Sequence, residues 1–358
     1  MKLKAKSALI FLLSFTLLSI TGCNEQTEPT KPAYGTEDGL NIHIIDVGQG
    51  DSILLECDDE YMLIDAGESE YGTTVNKYLE QYNVDKLEYV VVSHPHSDHY
   101  GGIKTVLESV ETENIIMTEA YNTTNSWEAL VDYISEGNYN VIMPETNDVF
   151  NLGKATVTAY VPQIDNDDLN NCSIVLKAEY DEMSALFTAD AEKSEELAML
   201  ESGFDVQADV LKLGHHGSST STCEEFFTEV NPHLALISCG KDNEYGHPHK
   251  ETTALLSKYN TETVRTDEEG SILINISYSN INISTVNGYT KSFKLDRNAI
   301  TDITESKEDE YIGNKNSKVY HKSDCTSVDK MSDKNKVVFS STEEAEENDY
   351  TPCKNCNP

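Results

Sequence analysis

Residues 93–102 read Ser93-His94-Pro95-His96-Ser97-Asp98-His99-Tyr100-Gly101-Gly102, and this stretch constrains the chain more than any other. Residues 87–92 before it form a short apolar run of strand type, and from Ile103 apolar residues recur at helical spacing. Three imidazoles and a carboxylate therefore sit in one tight loop between a strand and a helix. That donor set suits zinc, manganese or iron. His94 and His96, two residues apart, reach one ion, while Asp98 and His99 point elsewhere and reach a second. A merely solvated polar loop would require this clustering to be coincidence.

A two-metal site needs ligands from other strands. Asp190, in Thr188-Ala189-Asp190-Ala191, closes an apolar strand where its two oxygens can bridge both ions; a helix cap is the plainer alternative. Leu213-Gly214-His215-His216-Gly217 again places histidines after a strand. Neighbouring residues of a strand point to opposite faces, so one of His215 and His216 is expected on metal and the other towards substrate. His247, in Tyr245-Gly246-His247-Pro248-His249, follows a third strand and is expected on the phosphate side or in acid catalysis. His249, His233 and His43 are read as having no catalytic role. Strands are expected near 40–47, 52–56, 61–65, 87–92, 115–117, 141–144, 155–162, 173–180, 184–188, 208–213, 234–238, 271–277 and 281–286. Helices at 73–82, 127–136, 193–201, 223–230 and 250–259 alternate with them. Such an order fits an α+β fold of two sheets sandwiched by helices.

The H-x-H-x-D-H loop resembles the metallo-β-lactamase superfamily, over roughly residues 40 to 288. The resemblance implies an αββα sandwich, with metal ligands His94, His96, Asp98, His99, Asp190 and His216 (or His215). It makes Asp65 the buried carboxylate that supports the metal loop. Asp46-Val47-Gly48-Gln49-Gly50-Asp51-Ser52, Asn170-Asn171-x-Ser173, Gly214-His215-His216-Gly217-Ser218 and Gly246-His247-Pro248-His249 together resemble the C-terminal domain of ComEC-type competence proteins. Asp46, Asp51 and Asn171 are on that basis expected to support the ligands from behind. The departure is a missing histidine: none occurs between Tyr100 and Leu213, where the family has a further ligand. The first metal position is thus expected to have fewer protein ligands. The multi-span channel of the ComEC-type proteins has no counterpart here.

A second signal lies at the end of the chain: His321-x3-Cys325, then Cys353-x2-Cys356. Three thiolates and an imidazole make a closed, structural zinc site, and so short a module needs the metal to fold. A disulfide among these cysteines is the competing arrangement. The stretch resembles the metal-binding domain of Ada-type DNA-repair proteins. In those a cysteine occupies the first ligand position and accepts a methyl group; His321 stands there in this chain, so methyl transfer is not expected.

The start of the chain, Lys2, Lys4 and Lys6 followed by an apolar run to Ile20 and then Thr21-Gly22-Cys23, reads as a lipoprotein signal with Cys23 lipidated. The expected divisions are 1–23 signal, 24–37 tether, 38–288 hydrolase domain, 289–308 linker and 309–358 zinc module. Location on the outer face of the cell membrane follows from that reading. The net charge of −37 excludes a large counter-ion-release term, and so argues against tight non-specific nucleic-acid binding, though not against a nuclease whose metals supply local positive charge. Cys57, Cys172, Cys223 and Cys239 show no paired spacing and read as small core residues. The expected activity is hydrolysis of a phosphodiester, most simply DNA, by a metal-activated water with one or two Zn or Mn ions, Asp98, His215 and His247 acting in catalysis. A cell-wall or small phosphodiester, or a non-catalytic DNA-binding accessory, are the alternatives.

Overall fold

The computed structural model describes residues 38–163, 168–295, 311–322, 325–339, 342–354 and 356. Residues 1–37, with the signal sequence and Cys23, lie outside that range. The chain forms two compact units that part between Phe293 and Lys294.

The first unit contains strands β1 (Leu40–Ile44), β2 (Ile53–Cys57), β3 (Glu60–Ile64), β4 (Lys86–Val92), β5 (Glu111–Met117), β6 (Asn140–Ile142), β7 (Val149–Leu152), β8 (Ala155–Tyr160), β9 (Val175–Tyr180), β10 (Met183–Phe187), β11 (Val210–Lys212), β12 (Leu234–Ile237), β13 (Glu262–Arg265), β14 (Ile272–Ser277), β15 (Asn280–Thr285) and β16 (Thr290–Lys294). They make a nine-stranded sheet, ordered β16-β15-β14-β1-β2-β3-β4-β5-β6, and a seven-stranded sheet, ordered β13-β12-β11-β10-β9-β8-β7. The sheets meet face to face, β3 against β7 and β10 against β14. Helices α1 (Gly72–Gln81), α2 (Ser97–Tyr100), α3 (Ile103–Leu107) and α4 (Asn125–Glu136) follow strands of the first sheet. From them Val75, Leu79, Ile103, Val106, Trp127 and Leu130 pack on Leu54, Leu63, Leu87 and Val90. Helices α5 (Lys193–Ser202), α6 (Glu224–Val230) and α7 (Lys250–Lys258) cover the second sheet in the same way, through Met199, Phe226, Phe227, Val230 and Leu256. This is the αββα sandwich expected from the resemblance, and sheets buried on both faces account for the near-continuous apolar runs of their central strands.

Three strands differ from expectation. β7, β13 and β16 were not legible in the sequence, and β16 lies in the stretch read as linker. All three are sheet edges; polar residues such as those of Thr290–Lys294 erase the apolar pattern of β16, whereas β7 keeps Phe150 and Leu152 buried in alternation but over a run of only four residues.

Parallel pairing positions the site. Phe187, Lys212 and Leu236 lie side by side in β10, β11 and β12, so the residues just beyond those three strand ends converge. In the first sheet Leu63 and Val90 are partners in β3 and β4, which brings Asp65 beside Ser93. Gly50 (φ 148°) closes the gap from the β1–β2 loop: a Cβ there would stand 2.4 Å from the Asp98 carbonyl oxygen, and Asp51 N–H donates to that same oxygen at 3.2 Å.

Buried Glu196 on α5 accepts backbone hydrogen bonds from Thr222 and Cys223, tying α5 to the start of α6. Burial pushes its carboxyl from 4.5 up to about 7, against the pull of those two N–H groups. An acid with a raised folded-state pKa stabilises the fold fully below its unfolded pKa, and that contribution is lost as pH rises through the folded value. Urea unfolding is therefore expected to show about 2.5 kcal/mol less stability at pH 8 than at pH 5 from this group. Glu196→Gln should flatten that part of the profile; parallel profiles for the two proteins would refute the assignment.

The second unit is a four-stranded sheet, ordered β19-β17-β18-β20, of β17 (Tyr311–Asn314), β18 (Val319–Lys322), β19 (Lys336–Phe339) and β20 (Thr351–Pro352), with short helices α8 (Thr326–Asp329) and α9 (Thr342–Glu347). Among the described residues no helix is long and apolar enough to cross a membrane.

Candidate metal centre

The loop after β4 brings in His94 and His96, and α2 contributes Asp98 and His99. Asp190 follows β10, and His216 follows β11. The ligand atoms of His94, His96 and Asp190 lie within 4.8 Å of one another, as do those of Asp98, His99, Asp190 and His216. Asp190 belongs to both groups. Its Oδ2 is 3.7 Å from His94 Nε2, and its Oδ1 is 3.1 Å from His99 Nε2 and 3.6 Å from His216 Nε2. Asp98 Oδ2 is 3.3 Å from His216 Nε2.

Hydrogen bonds behind the ligands fix which ring nitrogen is exposed to the site. Asp65 accepts from Ser93 N–H at 2.9 Å, from Ser93 O–H at 2.6 Å and from His99 Nδ1 at 2.8 Å. Because Ser93 donates to Asp65, its Oγ is left to accept from His94 Nδ1 at 3.1 Å. His216 Nδ1 donates to the Ser238 carbonyl at 3.1 Å. Nε2 is thereby the ring nitrogen turned towards the other donors, His94 Nε2 lying 3.1 Å from His96 Nδ1 and His216 Nε2 3.3 Å from Asp98 Oδ2, the usual orientation of ligating histidines. The fit with metal shows in two buried atoms, His99 Nε2 and Asp190 Oδ1, which have no hydrogen-bond partner among the described residues although they face each other at 3.1 Å.

Electrostatics point the same way. Burial, then repulsion from His99, holds the His94 pKa well below the ordinary value. Burial also opposes charge on His99 and His216, but Asp190 and its neighbouring carboxylates outweigh it, raising His99 well above the ordinary range and His216 to about 9. For Asp190 the same imidazoles overcome burial and hold the carboxyl far down; for Asp98 they hold it at about 2. Metal must displace protons here, so affinity weakens as pH falls.

The histidine pair does not sit on a strand. His215 and His216 form a left-handed turn (φ 49° and 55°), which with Asp65 (58°) and Ala189 (45°) places four strained residues around one site. His216 is buried in the ligand group, while His215 is partly exposed on the wall of a cleft of about 250 Å3. Gln49, His96, Asp98, Asn170, Asp190, Tyr245 and His247 share that cleft. His215 Nδ1 is 3.3 Å from Glu192 Oε1. His247 Nδ1 is 3.2 Å from Gln49 Nε2, whose amide orientation is set by Gly240 N–H donating to Oε1. Burial and then the neighbouring imidazoles hold the His247 pKa down to about 4.

Of the residues expected behind the ligands, Asp65 supports His99. Asp51 stands 3.5 Å from His216 Nδ1 and accepts from the buried Lys212 ammonium at 2.8 Å. Asp46 lies apart: its carboxylate closes the turn to Gly48 N–H, in a depression with Tyr71 and Asp267. Asn171 also turns away, to Asp168, Ser194 and the backbone of Glu192. Sequence reading missed Lys212 and Glu192, and it named Asn170 in a motif while giving the supporting role to Asn171. A lysine closing the apolar strand Val210–Lys212 was the available signal for the first. His249 is tied to Ser219 and the Tyr245 carbonyl, and His43 to Tyr78 and Glu56.

In the second unit the ligand atoms of His321, Cys325, Cys353 and Cys356 lie within 4.8 Å of one another. The cysteines are thiols, and buried His321 Nδ1 has no hydrogen-bond partner among the described residues. This donor set fits structural zinc.

Comparison with known proteins agrees with this geometry. A family model described as the metallo-beta-lactamase superfamily matches residues 45–241, and one described as the metal binding domain of Ada matches 301–358. ComE operon protein 3 of Bacillus subtilis is 28% identical over 250 residues, covering 64% of this chain and 32% of that protein. Recombination protein 2 of Haemophilus influenzae is 28% identical over 284 residues, covering 76% and 32%. Competence protein ComA of Neisseria gonorrhoeae is 26% identical over 253 residues, covering 68% and 33%. The chain spans about a third of the length of these relatives.

Proposed function

The chain belongs to the metallo-beta-lactamase superfamily, as a metal-dependent hydrolase, and we propose that it cleaves a phosphodiester, with DNA as the substrate. The carrying observation is Asp190, shared by two ligand groups beneath a cleft whose wall holds His215, His247 and the exposed ring of Tyr245. His94, His96 and Asp190 would hold one ion, and Asp98, His99, Asp190 and His216 the other. Such ions supply positive charge to a phosphoryl oxygen and activate water near neutral pH. His247 is neutral at that pH; with Nδ1 accepting from Gln49, its Nε2 carries the hydrogen and donates to a phosphate oxygen. His215, backed by the Glu192 carboxylate, is the residue placed to carry a proton to the leaving group. Tyr245 stacks on His247 at 5.6 Å and offers its other face to a base. Two relatives carry recombination and competence in their names, which favours DNA. We propose that the protein lies on the outer face of the cell membrane through lipid at Cys23, with a hydrolase domain that runs past residue 288 to include β16 and a zinc module at 309–358.

A smaller or cell-wall phosphodiester is the second reading, favoured by the net charge of −37, which repels a long polyanion. The test is the metal-stripped protein, reloaded with Mn2+ or Zn2+, on single- and double-stranded DNA beside bis(p-nitrophenyl) phosphate. Metal-dependent DNA cleavage is expected. Cleavage of the small diester alone would select the second reading, and DNA retained on the protein but uncut would leave a binding role.

A further inference from the structure

The first ligand group has three protein donors where the second has four, because the histidine usual in the family is missing. Asn170–Cys172 occupies its place as a single turn before β9. Asn171 is committed elsewhere, as described above. Asn170 is not. It lines the cleft with His96 and Asp190, its Nδ2 donates to Glu192 Oε1 at 3.2 Å, and its Oδ1 is buried without a hydrogen-bond partner among the described residues. A carboxylate only accepts, so Glu192 determines which end of the amide points away from it. The remaining end is a carbonyl oxygen turned into the protein with nothing to bind it, a state that needs a reason. Glu192 is itself anchored, accepting from Thr220 O–H at 2.9 Å and lying 3.3 Å from His215 Nδ1.

We propose that Asn170 Oδ1 is the fourth protein donor of the first metal position, beside His94, His96 and Asp190, and that Glu192 is the positioning residue that aims it. The inference rests on the reading of this cleft as a metal centre. An amide oxygen is a hard ligand, so exchanging imidazole for it moves the position towards Mn2+ and away from Zn2+.

Full-length protein, stripped of metal, would be titrated with Mn2+ and with Zn2+ by calorimetry, with bound metal counted by mass spectrometry. Asn170→Ala should weaken one of the two cleft Mn2+ ions by at least about tenfold and leave the other unchanged. Asn170→Asp should restore it, and Asn170→His should raise Zn2+ affinity relative to Mn2+. Glu192→Ala should weaken the same ion, whereas Glu192→Gln, which keeps an acceptor for Asn170 Nδ2, should bind as wild type does. Unchanged Mn2+ affinity in Asn170→Ala would overturn the proposal. If that variant misfolds, an unaltered metal preference in Asn170→His would overturn it instead. Wild-type protein that takes up metal only at the C-terminal cysteines would show that the metal-centre reading itself had failed, which is a distinguishable result.

Discussion

Asp190→Ala is expected to remove both cleft ions at once and to lower hydrolysis by at least about a thousandfold, since metal-derived charge stabilisation is worth several kcal/mol. No other residue among those described belongs to both ligand groups. Its two oxygens divide the work, Oδ1 facing His99 and His216 and Oδ2 facing His94. The side chain is delivered by Ala189 in a left-handed conformation, and the Asp190 N–H is held by Ser173 Oγ at 3.2 Å. Truncation removes the carboxylate that draws three buried imidazoles to one point, so neither group retains its geometry. The measurement is metal content after dialysis, paired with the rate on whichever phosphodiester the wild-type protein cleaves. Loss of cleft metal with retention of the ion at His321 and the cysteines is the expected pattern. A variant that kept one cleft ion and near-native rate would show that Asp190 does not bridge.

The core of this site was legible because its chemistry is local. Four donors in six positions need no tertiary information, and strands that end in Asp190 and in Gly214-His215-His216 declare themselves by apolar runs stopped by polar residues. What was illegible depends on long-range placement. Asp46 and Asp51 occur in one loop and look equivalent, yet only Asp51 meets Lys212 and His216, from 161 residues away in the case of Lys212. Asn170 and Asn171 are adjacent and chemically identical. Which one faces the cleft is set by one turn of backbone and by the partners Asp168, Ser194 and Glu192. The reading of His215 and His216 reached a division of roles through a strand argument, whereas the structure divides them through a left-handed turn. Edge strands β13 and β16 were lost for the opposite reason, since exposure removes the pattern that reveals central strands, and β7 because its alternation lasts only four residues.

Strain and burial at the centre share a cause. Two carboxylates, three imidazoles from the stretch after β4 and a fourth from a turn converge only if the backbone bends sharply at the strand ends, and Asp65, Ala189, His215 and His216 all take positive φ there. Such conformations cost about 1–3 kcal/mol each and persist because the surroundings over-determine them. The Lys212–Asp51 pair is one such restraint; removing either partner of a buried pair typically costs about 3–5 kcal/mol. Metal binding then completes what the fold has prearranged.

In the second unit the order is reversed, and removing zinc is expected to unfold it. Among the described residues its buried apolar side chains form two small clusters, Ile312, Cys325, Val328, Met331 and Cys353 in one, Tyr320, Phe339, Ala345 and Tyr350 in the other. Two of the four candidate ligands, Cys325 and Cys353, are themselves members of the first cluster, so the core and the candidate metal site overlap. A unit this small buries too little surface to fold alone, while zinc held by such a set contributes an apparent free energy of about 10–16 kcal/mol. Chelation under reducing conditions, or Cys353→Ser, should therefore abolish amide protection in β17, β18 and β19, as read by hydrogen exchange. Trp127, the chain's one tryptophan, is buried in the first unit and reports that unit separately by its fluorescence. Protection that survives chelation under reducing conditions would mean that packing alone holds the sheet. Protection lost only on adding reductant to zinc-free protein would mean that a disulfide among Cys325, Cys353 and Cys356 had taken the metal's place.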